Sequence, residues 1–192
     1  MQKVIKFMKS AVLAKDYPEA KMPEIAIAGR SNAGKSSFLN ALTNNKVAKV
    51  SGTPGKTRLL NFFDVGAKYV MVDMPGYGWA SRGGDEMREW HKMIETYLTT
   101  RETLKGLLLV MDIRREWTDE EELLKKFSEE RGFPMAVVLT KADKMSRSQM
   151  LQAVAKMKKA SRLDAVFGTS ALKRTGQEEL EDYLYENWIK EE

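Results

Sequence analysis

Short runs of consecutive apolar residues alternate along the chain with longer stretches in which apolar positions recur every three or four residues. That is the pattern of a sheet whose strands are joined by crossover helices, an α/β fold. The runs predict six strands, over Glu24–Ala28, Leu59–Val65, Lys68–Asp73, Leu107–Asp112, Met135–Thr140 and Ala165–Thr169. Most are continuously apolar, as expected when helices cover both faces of a parallel sheet. Only Gly66 and Ala67 separate the second run from the third. Two residues cannot make a parallel crossover, so these strands should form an antiparallel hairpin and the sheet should be mixed. Helices are predicted over Lys35–Asn44, Asp85–Thr99, Asp119–Arg131, Arg147–Ala160 and Gly176–Lys190. Capping boxes mark three helix starts: Thr118 with Glu121, Ser146 with Gln149, and Thr175 with Glu178. Two stretches, Val47–Arg58 and Tyr77–Gly84, lack periodicity and are rich in Gly, Ser, Lys and Arg, so they read as loops.

Composition narrows this picture. A chain of 192 residues is one domain's worth, and 43% apolar residues are enough for a full core. With no cysteine and one histidine, disulfides, thiolate chemistry and multi-His zinc sites are excluded. His91 is expected on a packed helix face near Trp90, Ile94 and Tyr97. No apolar run spans a bilayer, and Met1–Ser10 has no following signal-peptide core, so a cytoplasmic protein without membrane association is expected. The net charge of +5 favours a polyanionic partner. Basic residues gather at Lys46 to Arg58, at Arg114 and Arg115, from Lys156 to Arg162, and at Lys173 and Arg174.

The chemistry lies at the predicted strand ends. Gly29-Arg30-Ser31-Asn32-Ala33-Gly34-Lys35-Ser36 fits G-x-x-x-x-G-K-[ST] between a strand and a helix, the context that confirms a phosphate loop. Its backbone N–H groups can cradle phosphates, Lys35 can reach the terminal ones, and the Ser36 hydroxyl, with Ser37 beside it, can face Mg²⁺. Asp73-Met74-Pro75-Gly76 ends the third strand; Asp73 can hold Mg²⁺ and Gly76 can offer its N–H to a γ-phosphate. Thr140-Lys141-Ala142-Asp143 closes the fifth. The Asp143 carboxylate can accept two N–H bonds from a guanine edge, which adenine cannot supply, while Lys141 covers the ring. Thr169-Ser170-Ala171 ends the sixth, where the Ala171 N–H could meet the guanine carbonyl. Each of the later motifs is weak alone, since a strand-ending Asp with a Pro-Gly turn is common. Their order, all at the carboxyl edge where open α/β sheets bind ligands, makes the set specific.

Together with Phe7-Met8-Lys9-Ser10-Ala11, Pro23–Ser37, Thr53-Pro54-Gly55-Lys56-Thr57, Leu60-Asn61-Phe62 and Asp73–Gly78, these residues resemble the EngB (YihA/YsxC) family of bacterial GTPases. The resemblance implies a Ras-like G domain over residues 23–192, preceded by an extension over 1–22 packed on it. It also implies a six-stranded sheet of order 2-3-1-4-5-6, with one antiparallel strand and helices on both faces. Switch segments are implied near 47–58 and 74–84. The implied activity is Mg²⁺-dependent GTP hydrolysis, and the implied role is large ribosomal subunit assembly by a monomer, with a link to cell division and septation. Catalysis would rest on Lys35, Thr57 and Gly76. Mg²⁺ would sit on Ser36, Thr57 and Asp73, with Gly55 and Lys56 beside the nucleotide and Thr53 competing with Thr57 as the switch threonine. Asn32 matches the asparagine that ligates K⁺ in related GTPases of the TrmE group, and is equally a residue suited to a left-handed turn. Tyr77 stands where Ras-type sites orient water with glutamine, so slow intrinsic hydrolysis is expected. The rival to a hydrolysing switch is a nucleotide-dependent binding module whose hydrolysis is incidental.

Overall fold

The computed structural model describes residues 5–43, 59–77 and 84–190, without the side chains of residues 43, 84–87 and 90. The chain runs β1 (Ile5–Ala11), β2 (Glu24–Gly29), α1 (Lys35–Thr43), β3 (Leu60–Val65), β4 (Tyr69–Asp73), α2 (Gly84–Thr100), β5 (Leu104–Asp112), α3 (Asp119–Arg131), β6 (Met135–Thr140), α4 (Arg147–Ser161), β7 (Val166–Gly168) and α5 (Gln177–Leu184). The strands form one sheet in the order β1-β3-β4-β2-β5-β6-β7. Counted from β2, this is the expected 2-3-1-4-5-6, and β3 is the strand that runs antiparallel to its neighbours. The Gly66-Ala67 turn has φ of 61° and 56°, the left-handed pair that matches the twist of a tight hairpin.

The sheet has seven strands, not six. The seventh is β1, from the segment expected as an extension; it pairs antiparallel with β3 from Ile5↔Val65 to Ala11↔Leu60, with an irregularity between Phe7 and Lys9. Only Ile5 and Ala11 of this edge strand are buried, so it carries no alternating signal in the sequence.

Alternate residues of the central strands point to opposite faces and found two cores. Ala26, Ala28, Leu107, Leu109 and Met111 pack with Met93, Ile94, Tyr97 and Met157 of α2 and α4. Ile25, Ile27, Leu108 and Val110 pack with Phe38 and Leu39 of α1 and Leu180 and Leu184 of α5. His91 lies outside the buried stripe of α2: its side chain is exposed, whereas Met93, Ile94, Tyr97 and Leu98 are buried.

The boxes at Thr118/Glu121 and Ser146/Gln149 form. The third does not. Thr175 is committed to a backbone bridge with Ser170, and Gly176, at φ 74°, turns the chain into α5 instead. A Cβ on Gly176 would lie 2.1 Å from the Gly168 carbonyl oxygen, so no other residue fits. The last helix also stops early: α5 ends at Leu184 and a wider π turn, Tyr185–Ile189, seats Trp188 over Gly106 of β5.

One buried charge network fixes the start of β2. Glu24, 1% exposed, accepts from the Tyr97 hydroxyl at 2.9 Å and from Arg101 Nε at 2.8 Å, and Arg101 also donates to the Pro18 carbonyl. Removing one partner of a buried pair leaves an uncompensated charge. Arg101→Ala is therefore expected to destabilise the fold by about 3–5 kcal/mol, measured by urea denaturation, with part of the loss recovered when Glu24→Gln is added.

Candidate functional site

At the carboxyl edge, the strand-to-helix turn after β2 is built around close backbone approaches. A Cβ on Gly29 would meet the Val110 carbonyl oxygen at 2.5 Å, and Gly34 sits at φ 92°. Asn32 takes a left-handed φ of 64°, the turn role, with its side chain exposed. The loop closes on itself through Ala33 N–H to Arg30 O at 3.0 Å. The N–H groups of Lys35, Ser36 and Ser37 open α1 without an intrachain acceptor among the described residues, leaving donors and the positive helix end aimed at whatever sits before the helix.

Lys35 Nζ lies 3.3 Å from Asp73 Oδ1, both nearly buried. That oxygen accepts no hydrogen bond. Burial pushes the Asp73 carboxyl above its ordinary range, and the Lys35 ammonium opposes the rise. A desolvated carboxylate oxygen with only an ammonium near it, alongside the Ser36 hydroxyl, is a fitting donor set for Mg²⁺, which takes few protein oxygens and completes its shell with phosphate and water.

Gly76 packs directly on the loop: a Cβ there would meet Ser31 N at 3.2 Å and Gly29 O at 3.3 Å. Tyr77 continues this contact, donating its N–H to Gly29 O and accepting from Ser31 N–H, both at 3.3 Å. Its hydroxyl donates to Glu121 Oε1 at 2.8 Å, and burial with this carboxylate pushes the phenol well above its usual range. Arg30, expected beside phosphate, pairs its guanidinium with Glu120 at 2.9 Å. Two consecutive carboxylates of α3 thus hold the phosphate loop and the D-x-x-G segment, a contact the sequence reading missed.

On the other side, Lys141 adopts φ 61° and its ammonium bridges Asn32 O at 3.1 Å and Asp112 Oδ2 at 3.0 Å. Asp112 was also missed, although it ends β5 on the same edge as the other motifs. Arg114 and then Lys141 hold its carboxyl far below the usual range. Asp143 Oδ1 accepts from the buried Ser170 hydroxyl at 2.7 Å, which lowers its pKa and keeps it ionised, the state needed to accept from a donor pair. Ala142 N–H donates to Thr169 O, joining the two loops, with Ala171 half-exposed beside them. Thr169 is buried beneath this joint. The expected residues Thr53, Gly55, Lys56 and Thr57, the 47–58 segment, and residues 78–83 of the implied 74–84 switch segment lie outside the described residues.

Thr140 turns its hydroxyl inward, within 2.6 Å of the Ala33 carbonyl and 3.0 Å of Met111 O. It props the loop from below. Thr140→Val is expected to cost about 1 kcal/mol of stability and to speed exchange of the Ala33 amide, which donates to Arg30 O, by up to about tenfold, read by urea denaturation and hydrogen–deuterium exchange.

Comparison with known proteins agrees with this geometry. Residues 24–141 match the family model of a 50S ribosome-binding GTPase. The chain is 77% identical over 191 residues to a probable GTP-binding protein EngB of Bdellovibrio bacteriovorus, covering 100% of this chain and 96% of that protein. It is 49% identical to one of Desulfosudis oleivorans over 74% of this chain and 73% of that protein. Among solved structures, a crystal structure of a probable GTP-binding protein engB shares the fold, with a TM-score of 0.68 at 23% identity over 85% of this chain and 97% of that one. Era in complex with MgGDPNP and a 16S ribosomal RNA segment gives 0.69 at 25% identity, over 91% of this chain and 59% of that one. With a family model matched over residues 24–141 and a relative 77% identical over 191 residues, the chain belongs to the EngB family of GTP-binding proteins, within the 50S ribosome-binding GTPases.

Proposed function

We propose that this GTPase is a Mg²⁺-dependent switch in large ribosomal subunit assembly, with any effect on cell division arising through that role. The observation that carries the reading is the Lys35–Asp73 pair at the mouth of the loop. Lys35 would carry its charge to the β- and γ-phosphates of bound GTP, and Asp73 with Ser36 would hold Mg²⁺, which would supply charge neutralisation to the phosphates. Thr57 would join them only in the GTP state, as the family resemblance implies. The Gly76 N–H is available to the γ-phosphate once the segment shifts from the loop. Asp143 holds the guanine edge through its ionised carboxylate, and Lys141 braces the loop from Asp112.

Tyr77 spends its hydroxyl on Glu121, so no side-chain amide stands at that position to orient water. Hydrolysis is then slow until a partner supplies the missing group, which makes the ribosomal particle both the destination and the trigger. A single-turnover assay with and without purified large subunits, paired with cosedimentation under GDP, GTP and a non-hydrolysable analogue, tests this. Binding in the GTP state and faster turnover with subunits are expected. Equal binding in all nucleotide states would favour a binding module with incidental hydrolysis.

Specificity has its own test. Asp143→Asn presents a donor where guanine needs an acceptor, so preference should move from GTP to xanthosine triphosphate by at least about tenfold, one hydrogen bond's worth at a charged group. Competition binding with labelled nucleotide measures it, and unchanged GTP preference would assign base reading to other residues.

A further inference from the structure

The charge of this chain is concentrated on one element. Its net charge is +5, yet residues 144–163 alone hold six basic residues and no Asp or Glu, so the remainder is slightly acidic. That segment is α4 with its flanks. The helix packs on β7 through its apolar side, with Met157 and Ser161 buried and a Cβ on Gly168 only 3.1 Å from Met150. Its opposite side is exposed and carries Lys156, Lys158, Lys159 and the left-handed C-cap Arg162. Among the described residues, Lys158, Lys159 and Arg162 make no ion pair. The loop after β5 touches this face through Lys156 Nζ, 2.6 Å from Glu116, whose exposed neighbour Arg115 borders the cavity at the phosphate loop. Two nearby carboxylates are already engaged: Glu116 by Lys156, and Glu122 by Trp117 Nε1 at 2.9 Å.

Unpaired like charges held together on one rigid helix cost electrostatic energy unless an anion covers them, and a charge-segregated face is the footprint of a polyanion. With Met150, Val154 and Met157 turned toward β7, Leu151 is the one large apolar side chain that α4 exposes, too little apolar surface to enter a lipid surface. Residues 144–163 contain no aromatic side chain on which bases could stack, so contact would be to the backbone and tolerant of sequence. We infer that the outer face of α4, extended by Arg115, is the surface on which this protein docks the phosphate backbone of ribosomal RNA. The inference rests on the ribosomal reading given above and adds where the contact is made. Lys158, Lys159 and Arg162 do not line the cavity at the phosphate loop, which Arg115 borders, so loss of these three charges should leave GTP binding intact.

The test uses the full chain loaded with a non-hydrolysable GTP analogue. A fluorescein-labelled RNA hairpin is titrated by anisotropy over a range of salt, and purified large subunits are bound by cosedimentation. Lys158→Gln/Lys159→Gln/Arg162→Gln is compared with Lys6→Gln/Lys9→Gln/Lys105→Gln, which removes the same charge from other strands. The α4 variant should bind hairpin and subunits at least about tenfold more weakly near 0.1 M salt, and its log–log salt slope should be shallower by about 2–3. Its affinity for labelled GTP analogue and its melting temperature should match wild type, and the strand variant should bind RNA nearly as wild type does. Equal weakening by both variants, or no change in the α4 variant, overturns the inference. Loss of subunit binding by the α4 variant, with no hairpin binding by wild type, would assign the face to an acidic protein and also overturn it. If wild type binds no subunit in any nucleotide state, the ribosomal reading fails instead, while the hairpin titration still reports on the face.

Discussion

The site is organised around a buried carboxylate that cannot satisfy itself. Asp73 ends a strand in which every residue is buried, and its Oδ1 has the Lys35 ammonium at 3.3 Å and no hydrogen bond. Burial raises the cost of that charge, and the Lys35 ammonium offsets part of it. The strand order places the two together: β2 and β4 are parallel neighbours, paired from Glu24↔Val70 to Ile27↔Asp73, so loop and acid leave the sheet side by side.

Around that pair the supporting contacts are inherited from neighbouring strands. Thr140 from β6 props the Ala33 carbonyl, Asp112 from β5 anchors Lys141, and α3 grips Arg30 and Tyr77 with adjacent carboxylates. Each acts on a residue that touches the ligand space rather than on the ligand itself. Tight packing makes such supports effective, because a close-packed interior passes on displacements instead of absorbing them.

The central strands, the hairpin and the phosphate loop were legible in the sequence because each has a local signature: continuous apolar runs, a two-residue gap, and glycines at fixed spacing. What escaped reading depends on partners far along the chain. β1 has lysines within it and two buried residues, so nothing local marks it as a strand until β3 lies beside it. The stop of α5 at Leu184 reflects where Trp188 must land on Gly106, and the Thr175 box gave way to a backbone bridge with Ser170. At the site, the described motif residues come together on one sheet edge, and several of their side chains have protein partners that no local signal announces. Thr140, Thr169 and Arg30, read from the sequence as nucleotide contacts, place their side chains on the Ala33 carbonyl, the Leu139 carbonyl and Glu120 respectively.

The edge position of β1 sets an order of events during synthesis. Its partner β3 emerges more than fifty residues later, after β2 and α1. A nascent chain must carry this first strand unpaired while the next elements leave the exit tunnel, with Phe7 and Met8 open to solvent and Lys6 and Lys9 supplying the charge that discourages pairing with another chain. The β1–β3 ladder therefore cannot close until Val65, the partner of Ile5, has been made.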